Sequence, residues 1–154
     1  MGGAPRTMKS YVKFRSLAVL AATVLAVSAY AAQSGEVYKT RLPVVPIDFA
    51  MQATVAGQGA VTATLNGNRL TVTGMAEGLR SPATIAHIHR GPPGIPGPAI
   101  LDLTVTKTTS PSISGAVDLT PSMVQDLKNG QLYVQLNSER APDGNLRGWL
   151  SHAN

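Results

Sequence analysis

His87 and His89 are two of only three histidines in a chain of 154 residues, and they stand two positions apart. On an extended strand, positions i and i+2 project from one face, about 7 Å apart along the backbone. Two imidazoles so placed can converge on a single Cu or Zn ion, because a neutral ring nitrogen is a ligand for both. A complete site needs three or four ligands. The remaining candidates are His152, Asp102 and Glu139, and no spacing rule places any of them beside the pair. The plainer reading is that the two rings hydrogen-bond loop carbonyls and anchor the turn that follows, GPPGIPGP at 91–98. The residues favour that reading over metal.

A second constellation lies near the C-terminus. On a strand, Tyr133, Gln135 and Asn137 share one face, and Asn145, Arg147 and Trp149 share one face of the next. The sole tryptophan beside an arginine on an exposed face suits a binding patch, with Tyr133, Asn137, Arg147 and Trp149 as its candidate residues. An ordinary cross-strand stack would use the same side chains. Catalysis finds no comparable support. There is no G-x-S-x-G elbow, no close carboxylate pair in strand context, and no phosphate loop or dinucleotide fingerprint. The expectation is a protein that is not an enzyme, with no catalytic residues.

The elements that must position these groups are short strands. Residues 61–65 (VTATL) and 70–75 alternate apolar and polar with period two, the mark of a half-buried strand. Asn66-Gly67-Asn68 between them predicts a hairpin with a type I′ turn. Strands are also expected at 47–55, 83–89, 99–106, 113–119, 131–137 and 145–150. Between 138 and 144 the Pro-Asp-Gly sequence predicts the turn of the last hairpin. One helix is expected at 120–129, with Thr120 as N-cap, Pro121 in the first position and Gly130 as the stop. Strands about ten residues apart with one short helix predict an all-β, mostly antiparallel β-sandwich, Ig-like or superoxide-dismutase-like.

Ahead of the strands stands a different segment. Arg6, Lys9, Lys13 and Arg15 precede an apolar run at 16–27, and Ala29-Tyr30-Ala31 is a small-x-small cleavage sequence. Residues 1–31 therefore read as a secretory signal peptide, with translation starting at Met1 or Met8 and the mature chain at Ala32. The apolar run is too short for a spanning helix, so no membrane span is expected after cleavage. The formal charge of +5 shrinks with the leader, whose four basic residues removed leave nine Lys and Arg against eight Asp and Glu. Nothing basic enough for nucleic acid remains. The chain has no cysteine, which excludes disulfides, thiol chemistry and thiolate metal sites. Residues 32–46 read as an extended lead-in and 47–151 as the folded domain.

Taken together, His87-Ile88-His89 with Gly91, Gly94 and Gly97-Pro98, then Gly130-x-Leu132-Tyr133-Val134, then Ala141-Pro142-x-Gly144-x-Leu146-Arg147-Gly148, resemble the CHRD domain, named for chordin. The resemblance runs over nearly the whole mature chain. It implies an exported β-sandwich-type domain without an established catalytic activity. In chordin-like proteins such domains sit in extracellular signalling antagonists, which points to protein binding. The H-x-H strand is also similar to one in copper/zinc superoxide dismutases. This chain departs from the family pattern at two places. Asn137 stands where a histidine is usual, and Asn145 where a glutamate often precedes the Leu-Arg-Gly. If the family histidine is a metal ligand, Asn137 weakens the site, since a carboxamide binds Cu or Zn poorly. The expectation is a secreted or periplasmic, non-catalytic binding or structural module. It requires no cofactor, and its partner is a protein or envelope component. The alternative is a Cu- or Zn-binding protein centred on His87 and His89.

Overall fold

The structure, a computed structural model, describes residues 1–3 and 35–154. The leader reading rests on 4–31 and lies outside the described residues.

Among the described residues nine strands and one α-helix follow in order: β1 (Glu36–Leu42), β2 (Gln58–Asn66), β3 (Arg69–Glu77), β4 (Ala83–Arg90), β5 (Ala99–Val105), β6 (Ser112–Asp118), α1 (Pro121–Lys128), β7 (Leu132–Ser138), β8 (Ala141–Trp149) and β9 (Ser151–His152). They form one sheet in the order β8-β7-β4-β5-β6-β3-β2-β1-β9, and every pairing is antiparallel. The sheet curls until its ends nearly meet. β8 pairs with β7, the chain bends at Leu150, and β9 pairs with β1 through Tyr38 and Lys39. The segment after β1 lies along β8. Val44 bridges Leu146, the Arg147 amide donates to the Pro43 carbonyl at 3.0 Å, and the Val45 amide donates to the Asn145 carbonyl at 3.1 Å. Gly148 makes this seam possible, because a Cβ there would run into the Arg41 carbonyl oxygen. The result is a nearly closed, barrel-like antiparallel sheet with one short helix. Where a sandwich would have two separate layers, β5 joins the halves by pairing first with β4 and then with β6.

The inner face follows the period-two pattern. Val61, Ala63 and Leu65 from β2, Leu70 and Val72 from β3, Ala86 and Ile88 from β4, Leu132, Val134 and Leu136 from β7, and Leu146 from β8 are all buried in one core. Each fully buried aliphatic side chain contributes about 1.5–3 kcal/mol, which lets a chain without disulfides hold together. The Thr120 hydroxyl accepts from the Met123 amide at 3.3 Å and starts α1, and Leu127 plugs the helix into the core. Lys128 then ties α1 to β1 by donating to Glu36 at 2.8 Å. Lys128's ammonium, with the Tyr38 hydroxyl next, holds the Glu36 carboxyl below the usual carboxylate range. Burial, followed by the neighbouring Glu36, pushes Tyr38 up to about 12.

Four local expectations are corrected. Residues 47–55 do not form a strand. Asp48 accepts from the Met51 amide at 3.0 Å and winds Ala50–Ala53 into a 3-10 turn. The first strand is instead β1, inside the expected lead-in, where Tyr38 and Leu42 face the core between outward Lys39 and Arg41. The β2–β3 loop is Gly67-Asn68 rather than Asn66-Gly67, since Asn66 pairs with Arg69. Gly67 has φ 61° and among the described residues no non-glycine residue, Asn68 included, has positive φ, which is the pattern of a type II′ turn. The β7–β8 turn is Glu139-Arg140, because Ser138 pairs with Ala141. Pro142-Asp143-Gly144 bulges out of β8, where the register with β7 shifts.

Candidate functional site

The outer face of β5-β4-β7-β8 carries two complete cross-strand rows. Register places Asp102, His87, Gln135 and Arg147 in one row, and Ala99, His89, Tyr133 and Trp149 in the next. The candidate metal pair and most of the candidate binding patch therefore form one continuous site, which sequence reasoning treated as two.

The second row is a stack of rings. His89 lies on Tyr133 at 4.8 Å between centroids, nearly parallel at 16°, and Tyr133 meets Trp149 at 4.7 Å. The Arg147 guanidinium sits 5.6 Å from the Tyr133 centroid, a cation over a ring face. The loop 91–98 folds back over this row. The Tyr133 hydroxyl accepts from the Gly97 amide at 2.9 Å and donates to the Gly97 carbonyl at 3.0 Å. His89 Nδ1 donates to the same carbonyl at 2.9 Å, and Trp149 Nε1 donates to the Gly91 carbonyl at 2.9 Å. The loop can lie this close because Gly97 has no side chain, since a Cβ there would strike the Arg90 carbonyl oxygen. Arg90 ends the strand by pairing with Asp126 of α1 at 2.6 Å.

The first row is knit along the sheet. Arg147 donates from Nε and Nη2 to Gln135 Oε1 at 2.9 and 2.8 Å. Gln135 Nε2 donates to Asn137 Oδ1 at 3.0 Å, and Asn137 Nδ2 donates to the Pro142 carbonyl at 2.7 Å. Asn145 fastens the other covering segment by exchanging two bonds with the backbone of Ala56, at 3.0 and 3.2 Å. His87 Nε2 faces Asp102 Oδ1 at 3.2 Å, with the Asp102 side chain 94% exposed.

The expected exposed patch is thus corrected. Tyr133 is 1% exposed, Gln135 7% and Asn137 9%. Every residue of β7 is buried, on both faces. The polar outer side chains of β7 sit under the covering loops and satisfy one another. Arg147 and Trp149 stay half-buried at the margin. Of the further ligand candidates, Asp102 adjoins His87. Glu139 occupies the β7–β8 turn, and His152 packs edge-on against Tyr38 at 5.4 Å in β9, away from the histidine pair. Among the described residues no group of three or more His, Cys, Asp or Glu could hold a metal ion. Burial holds His89 below the usual histidine range, against the opposite pull of the Gly97 carbonyl. Sequence reasoning missed Gly91, Gly97 and Asn145 as partners in the site, because each acts through backbone contact with a residue distant in sequence or across a loop.

An outward ring stack and a carboxamide–guanidinium row that clamp a Gly/Pro loop onto a curled antiparallel sheet define a domain built around a braced loop. The chain belongs to the CHRD domain family, which it matches over residues 44–150. No curated protein and no solved structure matches it. Among the described residues no helix is long and apolar enough to cross a membrane.

Proposed function

We propose that this protein is an exported, non-catalytic module of the cell envelope or extracellular space. In this reading its ring stack holds loop 91–98 in one shape for contact with a protein or envelope partner. The observation that carries the reading is the Tyr133 hydroxyl, which brackets Gly97 at both its amide and its carbonyl. A hydroxyl, an imidazole and an indole in one row all end on loop backbone, which leaves no activated nucleophile in that row. The contact surface is then the loop itself, whose Ile95 is 62% exposed between prolines. Fixing such a loop beforehand lowers the ordering cost of binding. Export is supported by the basic-apolar-small order of residues 1–31. The thin β5–β6 junction, only two residue pairs, supports reading the curled sheet as a flattened sandwich-type domain.

The test places a photo-crosslinking residue at position 95 in the producing cell, with position 107 as control. A discrete adduct at 95 that is absent at 107 and lost in Gly97→Ala is expected. Equal labelling at both positions refutes the loop as the contact surface. Sequencing of the exported chain should begin at Ala32, and a retained leader refutes the export reading.

A further inference from the structure

Each imidazole has a polar neighbour at one nitrogen, a hydrogen bond for His89 and a nearby carboxyl group for His87. A backbone carbonyl can only accept, so the His89 nitrogen facing the Gly97 carbonyl, Nδ1, carries the proton. The Asp102 carboxyl group lies 3.2 Å from His87 Nε2, and its acceptor oxygens favour the ring tautomer that keeps its proton on Nε2. In their neutral forms the rings therefore present bare lone pairs at the opposite corners, His87 Nδ1 and His89 Nε2. Metal-binding histidines are held in the same way, with the second ring nitrogen donating to a carboxylate or a backbone carbonyl that fixes tautomer and orientation.

The ring centroids lie 5.9 Å apart, tilted by 54°. With a metal about 2 Å from each ring nitrogen, centroids sharing one ion fall roughly 5–6.5 Å apart, the upper part of that range belonging to wide ligand–metal–ligand angles. We propose that His87 Nδ1 and His89 Nε2 bind a single copper ion as Cu(I). Three observations choose the ion. Zinc takes four ligands, and among the described residues no third His, Cys, Asp or Glu completes a cluster. Asn137 cannot substitute, because both ends of its carboxamide are engaged by Gln135 and Pro142. Cuprous ion accepts two imidazoles at a wide angle. The Arg147 guanidinium sits over Tyr133, the ring on which His89 stacks, so a cation already stands beside the pair and favours the lower-charged ion. The loop clamp uses His89 Nδ1 and copper uses Nε2, so this inference stands or falls independently of the proposed loop surface.

The test titrates the purified protein anaerobically with Cu(I) buffered by bicinchoninate, and in parallel with Zn(II). One Cu(I) per chain is expected, with affinity at least tenfold lower in His87→Ala. Among the described residues His87 makes no hydrogen bond to loop 91–98, and its charged neighbour Asp102 is 94% exposed, so this variant should keep the fold, as a cooperative melting transition would show. His152→Ala should bind as wild type. Imidazole nitrogen resonances should shift on loading at His87 Nδ1 and His89 Nε2, while the other two nitrogens keep their protons. Failure to bind one Cu(I), binding undiminished in His87→Ala, or shifts at the opposite nitrogens each overturn the site. Zinc bound as tightly as copper overturns the choice of ion.

Discussion

Replacing Tyr133 with phenylalanine removes one oxygen and leaves the ring stack in place. Tyr133 is 1% exposed, between His89 at 4.8 Å and Trp149 at 4.7 Å, and Phe fills the same space. The lost oxygen accepts from the Gly97 amide and donates to the Gly97 carbonyl. These two losses are unequal. The carbonyl keeps the bond from His89 Nδ1, whereas the amide has no other partner among the described residues. A net hydrogen bond is worth about 1 kcal/mol, and an orphaned buried donor costs about 1–3 kcal/mol. Gly97 is only half-buried, so water recovers part of the loss. The expected destabilisation is about 1–2 kcal/mol, a melting-point drop of about 5 °C for a domain of this size. Urea denaturation should show it as a lower midpoint with unchanged slope, and the Gly97 amide should exchange faster. Trp149→Phe removes the anchor at the other end of the loop, the bond to the Gly91 carbonyl. Because both anchors hold one segment, the double variant should depart from additivity by about 0.5 kcal/mol or more. A Tyr133→Phe loss below about 0.5 kcal/mol, or strict additivity with Trp149→Phe, refutes the clamp.

Three other outcomes follow from the same geometry. Gly148→Ala drives a Cβ into the Arg41 carbonyl across the seam, and should cost about 3 kcal/mol or more in a denaturation curve, since backbone must move. Thr120→Ala removes the cap on the Met123 amide and should cost about 1 kcal/mol by the same measurement. His89 titrates below its ordinary value near 6.5 because it is buried. The unfolded chain then takes up the proton first, so this contribution to stability is full above about pH 7 and declines as pH falls through and below 6.5. Melting curves at stepped pH should show the decline in wild type and a flatter profile in His89→Gln.

Where a strand's pattern was set by its neighbours along the chain, the sequence was enough to place it. The alternation in β2 and β3, the Thr120-Pro121 start of α1 and the common face of His87 and His89 all emerged as expected. The failures have physical causes. β1 alternates correctly, but Lys39 and Arg41 on its outer side, with Glu36 at its start, made it read as a polar lead-in. Residues 47–55 hold enough apolar side chains for a strand, yet Asp48 caps a turn and leaves Phe49 89% exposed. Pro142-Asp143-Gly144 has turn chemistry, and the register shows it used to bulge a strand instead. The gravest error, an exposed face on β7, is not a local matter. Gln135 and Asn137 look solvent-facing in isolation, but the bulge 142–144 of the neighbouring strand folds over them, with Gln135 donating to the Asp143 carbonyl at 3.3 Å and Asn137 to the Pro142 carbonyl at 2.7 Å.

The same covering explains why the residues that carry the family resemblance mark a fold more readily than a reaction. In His87-Ile88-His89 the isoleucine enters the core, while His89 reaches outward to the loop backbone. In Leu146-Arg147-Gly148 the leucine enters the core, the arginine braces Gln135, and the glycine admits the β1 edge at the seam. Each motif thus fastens an inner layer, the sheet and an outer layer at one point. The two motifs also meet, since Gln135 lies opposite both His87 and Arg147. A change at Gly148 should therefore be felt beyond the seam, because Trp149, the next residue, holds Gly91. If Gly148→Ala lowers stability but leaves the exchange of the Gly97 amide untouched, seam and loop are separate devices. The shared rows of the sheet argue that exchange will quicken at Gly97, with the seam and the loop loosening together.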